Sequence, residues 1–193
     1  LIADLAASNS ADALDDVIDL YRHAAADLSP LGWDVQRLLI DYVSDVAVTP
    51  EQQASLVQVR VWVAGNGVTS VAATAGGDAL LIGWQSNDVL TGNSGNDYVL
   101  GGVGNDTLDG QDGNDTLEGG DGDDRIDDYS GANVLRGGAG NDVIVGVGTM
   151  EGGTGNDYTE GVGGYNNHTY LFNLGDGRDI LVERGGTDTL KLG

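Results

Sequence analysis

The chain has 193 residues, 31 acidic and 8 basic, and a formal net charge of −23. This balance argues against binding to nucleic acid and against electrostatic attachment to anionic membranes, because both need clustered Lys and Arg. The absence of cysteine excludes disulfides and thiolate metal sites, and no apolar run approaches the ~20 residues of a membrane helix. Cations are therefore the natural binding partner.

The two ends of the sequence carry no recognisable processing signal. The first residues, LIADLAASNS, contain neither an initiator Met nor a basic segment followed by an apolar core. The last residues, GGTDTLKLG, resemble the beginning of a further repeat. We therefore expect the chain to be a piece of a longer protein.

Residues 1–63 contain a single glycine and show helical spacing. Apolar residues three and four apart form stripes over about 12–28 and 35–46. Ser29-Pro30 and TPEQ at 49–52 have the residues of helix starts. The stretch VQVRVWV at 57–63 alternates like a strand but also fits one helical face, and the cap before it favours a helix. We predict an α-helical flank over 1–64, then a junction and degenerate first coil over 65–82.

From Gly83 the sequence repeats every nine residues, as GWQSNDVLT, GNSGNDYVL, GGVGNDTLD, GQDGNDTLE, GGDGDDRID, DYSGANVLR and GGAGNDVIV. Position 6 of the unit is Asp in all of these except one, where it is Asn133. Position 8 is always aliphatic. A shortened unit, GVGTME, and a full unit, GGTGNDYTE, follow, and we assign residues 83–160 to the repeat domain.

The nine-residue period predicts a mainly β fold. A helix cannot keep this period on one narrow face, and so much glycine would cost it up to about 1 kcal/mol per residue relative to Ala. A three-residue strand turns only its middle side chain inward, so position 8 would form the core. A six-residue turn would follow each strand, and its backbone conformations would require glycine because they are closed to residues with a Cβ. Two units then make one coil, and successive coils stack as parallel sheets.

The turns of such a fold would crowd carboxylates and carbonyl dipoles together. Arg125 and Arg136 are the only basic residues between positions 83 and 160. Ca²⁺ takes six to eight oxygen ligands from carboxylates and backbone carbonyls, at about 2.3–2.6 Å. The composition of the turns therefore predicts calcium between them.

The units resemble the G-G-x-G-x-D-x-U-x pattern of the repeats-in-toxin (RTX) family, which binds calcium in a β-helix. The resemblance covers about residues 76–182. Within it, TYLFNLGDGRDILVE at 169–183 looks like the module that closes a block of such repeats, and we assign 161–193 to this module and the start of a further unit. The resemblance implies a right-handed parallel β-roll (β-helix) with ions held between turns one coil apart.

Carried onto this sequence, the resemblance implies metal ligands at position 6 and at the glycine carbonyls of the turns. One column of turns would hold Asp88, Asp106, Asp124, Asp142 and Asp157, and the other would hold Asp97, Asp115 and Asn133. The glycine candidates are Gly102, Gly104, Gly113, Gly120, Gly122, Gly138, Gly140, Gly153 and Gly155. We expect about four sites in the first column and one or two in the second.

Two positions in these columns depart from the pattern. Asn133 keeps an oxygen but loses the charge, so the Asp115/Asn133 site should be weaker. In the closing module His168 stands where Asp is expected, whereas Asp179 fits the position and is a candidate ligand against an earlier turn.

A disordered linker, an EF-hand and a nucleotide-binding loop fit the acidic, glycine-rich sequence less well. A linker has no use for an aliphatic residue at every ninth position. An EF-hand needs a twelve-residue loop between helices, and GGVGND lacks the strand, helix and distant acid of a nucleotide-binding loop. His23 and His168 have no nucleophile elbow or metalloprotease His pair around them, so we expect no catalytic residue in this chain.

The favoured function is a calcium-binding module of a large secreted bacterial protein. It would stay unfolded at low calcium and fold outside the cell, and the resemblance to the RTX family implies that it would be exported by type I secretion. The alternatives are an adhesion, ice-binding or extension module of a giant surface protein, and the C-terminal part of a secreted hydrolase. The expected partners are several calcium ions and neighbouring modules of the same chain.

Overall fold

A computed structural model describes residues 61–64, 69–74, 76–163, 167–173 and 175–193. The regular elements in these ranges are strands, which confirms the prediction of a mainly β fold. They are β1 (Val61–Val63), β2 (Ser70–Ala72), β3 (Leu80–Trp84), β4 (Val89–Thr91), β5 (Tyr98–Val103), β6 (Thr107–Asp109), β7 (Thr116–Asp121), β8 (Arg125–Ala139), β9 (Val143–Thr154), β10 (Tyr158–Gly161), β11 (Thr169–Phe172), β12 (Ile180–Glu183) and β13 (Thr189–Leu192). Among the described residues, no helix is long and apolar enough to span a bilayer.

The strands stack in parallel as the two faces of a solenoid. One ladder runs β2-β4-β6-β8 and the other β3-β5-β7-β8, so the long strand β8 joins both faces. Partners are 18 residues apart in these ladders, as in the pair Tyr98 and Thr116, except between β2 and β4, where Ser70 pairs with Val89 and the spacing is 19 residues. Two nine-residue units therefore make one coil, as the period predicts.

The shortened unit changes the length of one coil without changing the stacking. Asn133 pairs with Gly148 and Val134 with Thr149, so the step falls from 18 to 15 residues across β8 and β9. Asp142 and Asp157 then follow each other in the same column, as the sequence predicts. The shortened unit loses its three residues from a turn, so the strands on either side keep their register.

The longest strands exceed the predicted three residues. Strand β8 has 15 residues and β9 has 12, because backbone groups of stacked turns also pair with those of the next coil. The backbone N–H of Gly122, for example, donates to the carbonyl of Ala139 at 2.7 Å. The turns are therefore hydrogen-bonded along the stack, as the strands are.

The core is built from position-8 side chains, one from each face of a coil. In the short strand β6, Leu108 is buried between partly exposed neighbours, which is the alternation expected of a strand with one inward face. The position-8 residues that are at most 3% exposed are Leu90, Val99, Leu108, Leu117, Ile126, Leu135, Ile144, Met150, Thr159 and Tyr170. The prediction that position 8 points inward is confirmed.

The helix favoured for residues 57–63 is wrong where the structure describes it. Residues 61–63 form β1, which lies beside β3, and the N–H of Ala64 donates to the carbonyl of Ile82 at 2.7 Å. Trp62 is 6% exposed and belongs to the hydrophobic core, so burial against the first coil outweighs the helix-start signal. The rest of the predicted helical flank, 1–60, lies outside the described residues.

The thin core predicts a large difference between buried and terminal leucines. Leu117→Ala should lower the free energy of unfolding by about 2–5 kcal/mol, because the removed side chain is fully buried. Leu192→Ala removes the same atoms from a residue that is 78% exposed and should change it by less than about 0.5 kcal/mol. Urea unfolding in saturating calcium measures the free energy of unfolding of both variants. Equal decreases would contradict a core made of position-8 side chains.

Candidate metal centre

The position-6 carboxylates form hydrogen-bond ladders along the two columns of turns. The backbone N–H of Asp106 donates to Oδ1 of Asp124 at 2.8 Å, and that of Asp124 donates to Oδ1 of Asp142 at 2.8 Å. The same bond continues to Asp157 at 2.9 Å and to Asp179 at 3.0 Å. In the second column, the N–H of Asp97 reaches Asp115 at 2.7 Å. The structure thus brings the predicted side chains into the two predicted columns.

The second oxygen of most of the buried aspartates in the turns has no hydrogen-bond partner. Asp106 and Asp124 are at most 2% exposed. The buried oxygens without a partner include Oδ2 of Asp106, Asp115, Asp124, Asp128, Asp142 and Asp157. Leaving a buried acceptor unsatisfied costs about 1–3 kcal/mol, and more when the group is charged. Each of these aspartates therefore offers an oxygen that requires a proton or a cation, whereas Oδ2 of Asp97 accepts the backbone N–H of Asn93 at 2.6 Å.

The glycine at position 1 makes room for that oxygen. A Cβ on Gly119 would collide with Oδ2 of Asp124 and would lie 2.6 Å from the carbonyl oxygen of Gly137, in the next coil. Gly101 has the same relation to Asp106 and to the carbonyl of Gly119. The carboxylate of one turn and a carbonyl of the next therefore face one small space, which we call the cradle. Two oxygens of these types are the donors that Ca²⁺ prefers.

Burial raises the pKa of the position-6 carboxyls. Desolvation is the largest cause at Asp115 and at Asp124, where the pKa rises to about 7, and at Asp142, where it rises to about 6. Hydrogen bonds from backbone N–H groups oppose the shift, and neighbouring carboxylates add to it. The pKa values of Asp97, Asp106 and Asp157 also rise, again mainly by desolvation. Ionising these buried carboxyls therefore costs free energy, and a bound cation would offset that cost.

The two arginines of the repeat region pair with acids on the strands. Arg125 Nε lies 2.7 Å from Oδ2 of Asp127. Arg136 lies between Glu118 at 3.0 Å and Glu151 at 3.5 Å. Both arginines are therefore paired with acids of the strands, and neither neutralises the carboxylates of the turns.

The glycines that the resemblance implies as ligands all lie in the turns with a positive φ. Gly120 has a φ of +113° and Gly122 one of +137°, a conformation that side chains with a Cβ rarely adopt. A Cβ on either would collide with the carbonyl oxygen of Gly102 or Gly104, one coil earlier. These carbonyls are therefore stacked in the turns, while the oxygens that share the cradle with Oδ2 come from position 1.

The sequence analysis did not identify those position-1 carbonyls or the role of position 5. In the stacked turns, Asn105 donates its N–H to Oδ1 of Asn87 at 2.9 Å, and Asn141 donates to Asp123 at 2.7 Å. This second ladder points toward the earlier coil, opposite to the ladder at position 6. The recurrence of Asn immediately before the position-6 Asp was the signal for it.

His168 takes the position-6 place in a later turn of the second column. It is 1% exposed, and its backbone N–H donates to Oδ1 of Asp188 at 2.9 Å. Its Nδ1 lies 3.2 Å from Glu183 and 3.3 Å from Asp188, and Nε2 lies 3.0 Å from the carbonyl oxygen of Val162. The polar atoms of this cluster pair with one another, so it differs from the turns with unpartnered oxygens.

One aspartate of the turns was not anticipated as a ligand. Asp128 stands at position 1, where other units have glycine, and it is fully buried. Desolvation is the main reason why its pKa rises to about 7, and the charge of Asp115 adds to the shift. The signal was an acid in place of the first glycine in the unit that also has Asn133.

A sequence model of one protein family, described as the RTX calcium-binding nonapeptide repeat (4 copies), matches residues 74–108, 82–117 and 109–144. The match confirms the resemblance drawn from the sequence and implies Ca²⁺ as the bound ion. No curated protein and no solved structure matches the chain.

Filling one cradle should weaken calcium binding at that turn. Gly119→Ala places a methyl group against Oδ2 of Asp124 and the carbonyl of Gly137, so the calcium midpoint of folding should rise roughly tenfold, equivalent to about 1.4 kcal/mol. Gly76→Ala is the matched control, because the nearest atom to its Cβ is Oγ of Ser94 at 3.9 Å. Calcium titration followed by circular dichroism compares the two, and equal midpoints would refute the role of the cradle.

The raised pKa values predict that acid stabilises the calcium-free fold. Asp115 and Asp124 bind protons up to about pH 7 when folded but have an ordinary pKa of 3.8. Between these values the folded chain binds more protons than the unfolded chain, so its stability falls as the pH rises through about 7. In calcium-free buffer the ordered fraction should therefore increase from about pH 8 to about pH 5.

Saturating calcium is the control for this titration, because the bound ion keeps the carboxylates ionised in the folded chain. Stability should then be nearly constant over the same range. Circular dichroism at each pH measures both, and a calcium-free chain that loses order on acidification would contradict the assignment of the shifts.

Proposed function

Because this chain carries RTX calcium-binding nonapeptide repeats in a parallel β-solenoid, we propose that it is a module of a secreted bacterial protein that folds when it binds calcium outside the cell. The proposal concerns the trigger and the place of folding. It assigns the chain a binding and structural role, with no catalytic residue among the repeats.

The unpartnered buried oxygens are the observation that carries the proposal. Successive turns of the first column present Oδ2 of Asp106, Asp124, Asp142 and Asp157 without a hydrogen-bond partner. Protons could satisfy them only near or below the raised pKa values, which reach about 7 at Asp124. Above that pH the repeated negative charge requires a repeated positive charge, and a divalent cation in each cradle supplies it.

The position-6 carboxylates and the turn carbonyls are the residues that would hold the ions. In the first column these are Asp88, Asp106, Asp124, Asp142, Asp157 and Asp179, and in the second Asp97, Asp115 and Asn133. The carbonyls are those of Gly102, Gly104, Gly113, Gly120, Gly122, Gly138, Gly140, Gly153 and Gly155, together with Gly119 and Gly137 at position 1. When bound, Ca²⁺ neutralises the carboxylates and ties adjacent coils together.

Folding should depend on the ions because the core is thin. Each nine-residue unit buries one position-8 side chain, such as Leu108 or Leu117, which contributes about 1.5–3 kcal/mol. Ordering each residue costs about 1–2 kcal/mol of backbone entropy, with glycine the most expensive. Backbone hydrogen bonds offset part of this cost, and ion binding would supply the remainder.

Calcium dependence also gives a reason for folding outside the cell. A chain that is unfolded at low calcium can pass through a narrow export channel such as a type I system. External modules bind calcium with dissociation constants of about 10⁻⁴–10⁻³ M, which suits a site that fills only after export. Because the chain has no cysteine, its folding outside the cell would not require disulfide formation.

A second candidate function is an extension module within a longer array of repeats. In the last coil, the position-8 residues Leu181 and Leu190 are 39% and 59% exposed, whereas their counterparts in earlier coils are buried. A further coil stacked on β12 and β13 would cover them. The exposure of these two leucines favours an extension module. This role is compatible with calcium-dependent folding.

The calcium trigger predicts an all-or-none change in secondary structure. Without calcium at about pH 8 the circular dichroism spectrum should be that of an unordered chain, and about 1 mM calcium should convert it to a β spectrum with a cooperative midpoint. Magnesium should not replace calcium at the same concentration, because it demands a small octahedral site. A calcium-free spectrum identical to the calcium-bound one would refute the proposal.

Two adjacent aspartates provide a matched pair for this experiment. Asp124→Asn keeps an oxygen for the N–H of Asp106 but removes the charge from the cradle, so the midpoint should rise about tenfold or more. Asp123→Asn keeps the oxygen that accepts from Asn141 and removes an exposed charge, so the midpoint should stay within about twofold.

A further inference from the structure

The turn formed by residues 128–133 departs from the repeat at both of its ends. Position 1 is Asp128 instead of glycine, and position 6 is Asn133 instead of aspartate. Taken alone, Asn133 predicts a weak calcium site in the second column. The two departures occur in the same unit, so their side chains belong to the same turn.

A position-6 aspartate accepts the backbone N–H of the preceding coil and presents a second, charged oxygen. Asn133 does only the first of these. Its Oδ1 accepts the backbone N–H of Asp115 at 2.9 Å, which keeps the ladder intact. Its Nδ2 donates to the carbonyl oxygen of Ser130 at 2.8 Å. An amide N–H cannot ligate a cation, so Asn133 has no second carboxylate oxygen to offer to an ion.

Asp128 supplies a carboxylate oxygen to the cradle at Gly110, between the stacked turns of Asp115 and Asn133. Its Oδ1 accepts the N–H of Ser130 at 3.2 Å, whereas Oδ2 is buried without a hydrogen-bond partner. A Cβ on Gly110 would collide with this Oδ2 and would lie 2.6 Å from Oδ2 of Asp115. Two carboxylate oxygens from adjacent coils, neither of which accepts a protein N–H, therefore border the same space, where other cradles have one carboxylate oxygen and one carbonyl.

We propose that Asp128 is a calcium ligand, and that it forms with Asp115 an off-pattern site in the cradle at Gly110, between the turns of Asp115 and Asn133. The roles that one aspartate combines elsewhere are divided here between two residues. Asn133 accepts the ladder hydrogen bond, and Asp128 provides the charged oxygen. The inference rests on the proposed function and replaces the expectation of a weak site at Asp115/Asn133.

Calcium stoichiometry of the full 193-residue chain tests the proposal. Isothermal titration with calcium chloride at about pH 8 should show one ion fewer for Asp128→Asn than for the unsubstituted chain, or a weakening of one site by at least about tenfold. Asp127→Asn is the matched control, because it removes the neighbouring acid, which pairs with Arg125 on the strand. Its stoichiometry should not change.

The double variant Asp128→Gly with Asn133→Asp separates ligation from folding. It restores glycine at position 1 and a carboxylate at position 6, which is the arrangement of the other cradles, so the lost ion should return even if Asp128→Asn alone folds poorly. Failure of the double variant to recover the ion would overturn the proposal. So would a full complement of ions, bound within about twofold of the original affinity, in Asp128→Asn. An unsubstituted chain that binds no calcium would instead refute the proposed function itself.

Discussion

A carboxylate removed from water must find a proton, a hydrogen-bond donor or a cation, and this requirement governs the whole solenoid. Along the columns, position-6 aspartates accept the backbone N–H of the preceding coil, as Asp124 does from Asp106. Its other oxygen is buried without a partner in turns such as those of Asp106 and Asp124. The first contact fixes the register between coils, and the second creates the demand for an ion. Stacking and metal binding are therefore two uses of one side chain.

The nine-residue period was sufficient to predict the parts of the fold that repeat. It identified position 8 as the core, and it placed Asp142 and Asp157 in one column despite the shortened unit between them. Features that depend on contacts between coils were not predicted. The opposing ladder at position 5 and the carbonyls of Gly119 and Gly137 follow from hydrogen-bond direction and close approach, which a period does not encode. The strand at Val61–Val63 was missed because its pairing with β3 is a contact distant in sequence.

The separation of the two carboxylate roles accounts for the way in which the repeat tolerates substitutions. Asn133 retains the ladder acceptor, and a second residue, Asp128, can provide the charged oxygen. His168 retains only the backbone donor to Asp188, and its ring pairs with nearby acids instead of leaving an oxygen unsatisfied. The columns can therefore change residue by residue while the stack remains in register, so the repeats can differ in calcium affinity without a change of fold.

The central claim is that ions lie beside the unpartnered oxygens. A crystal structure of the chain grown in calcium, with anomalous diffraction data, tests it most directly. The account predicts anomalous peaks about 2.3–2.6 Å from Oδ2 of Asp106, Asp124 and Asp142, with a further peak beside Asp115 and Asp128. An ordered solenoid with only water at these oxygens would contradict it.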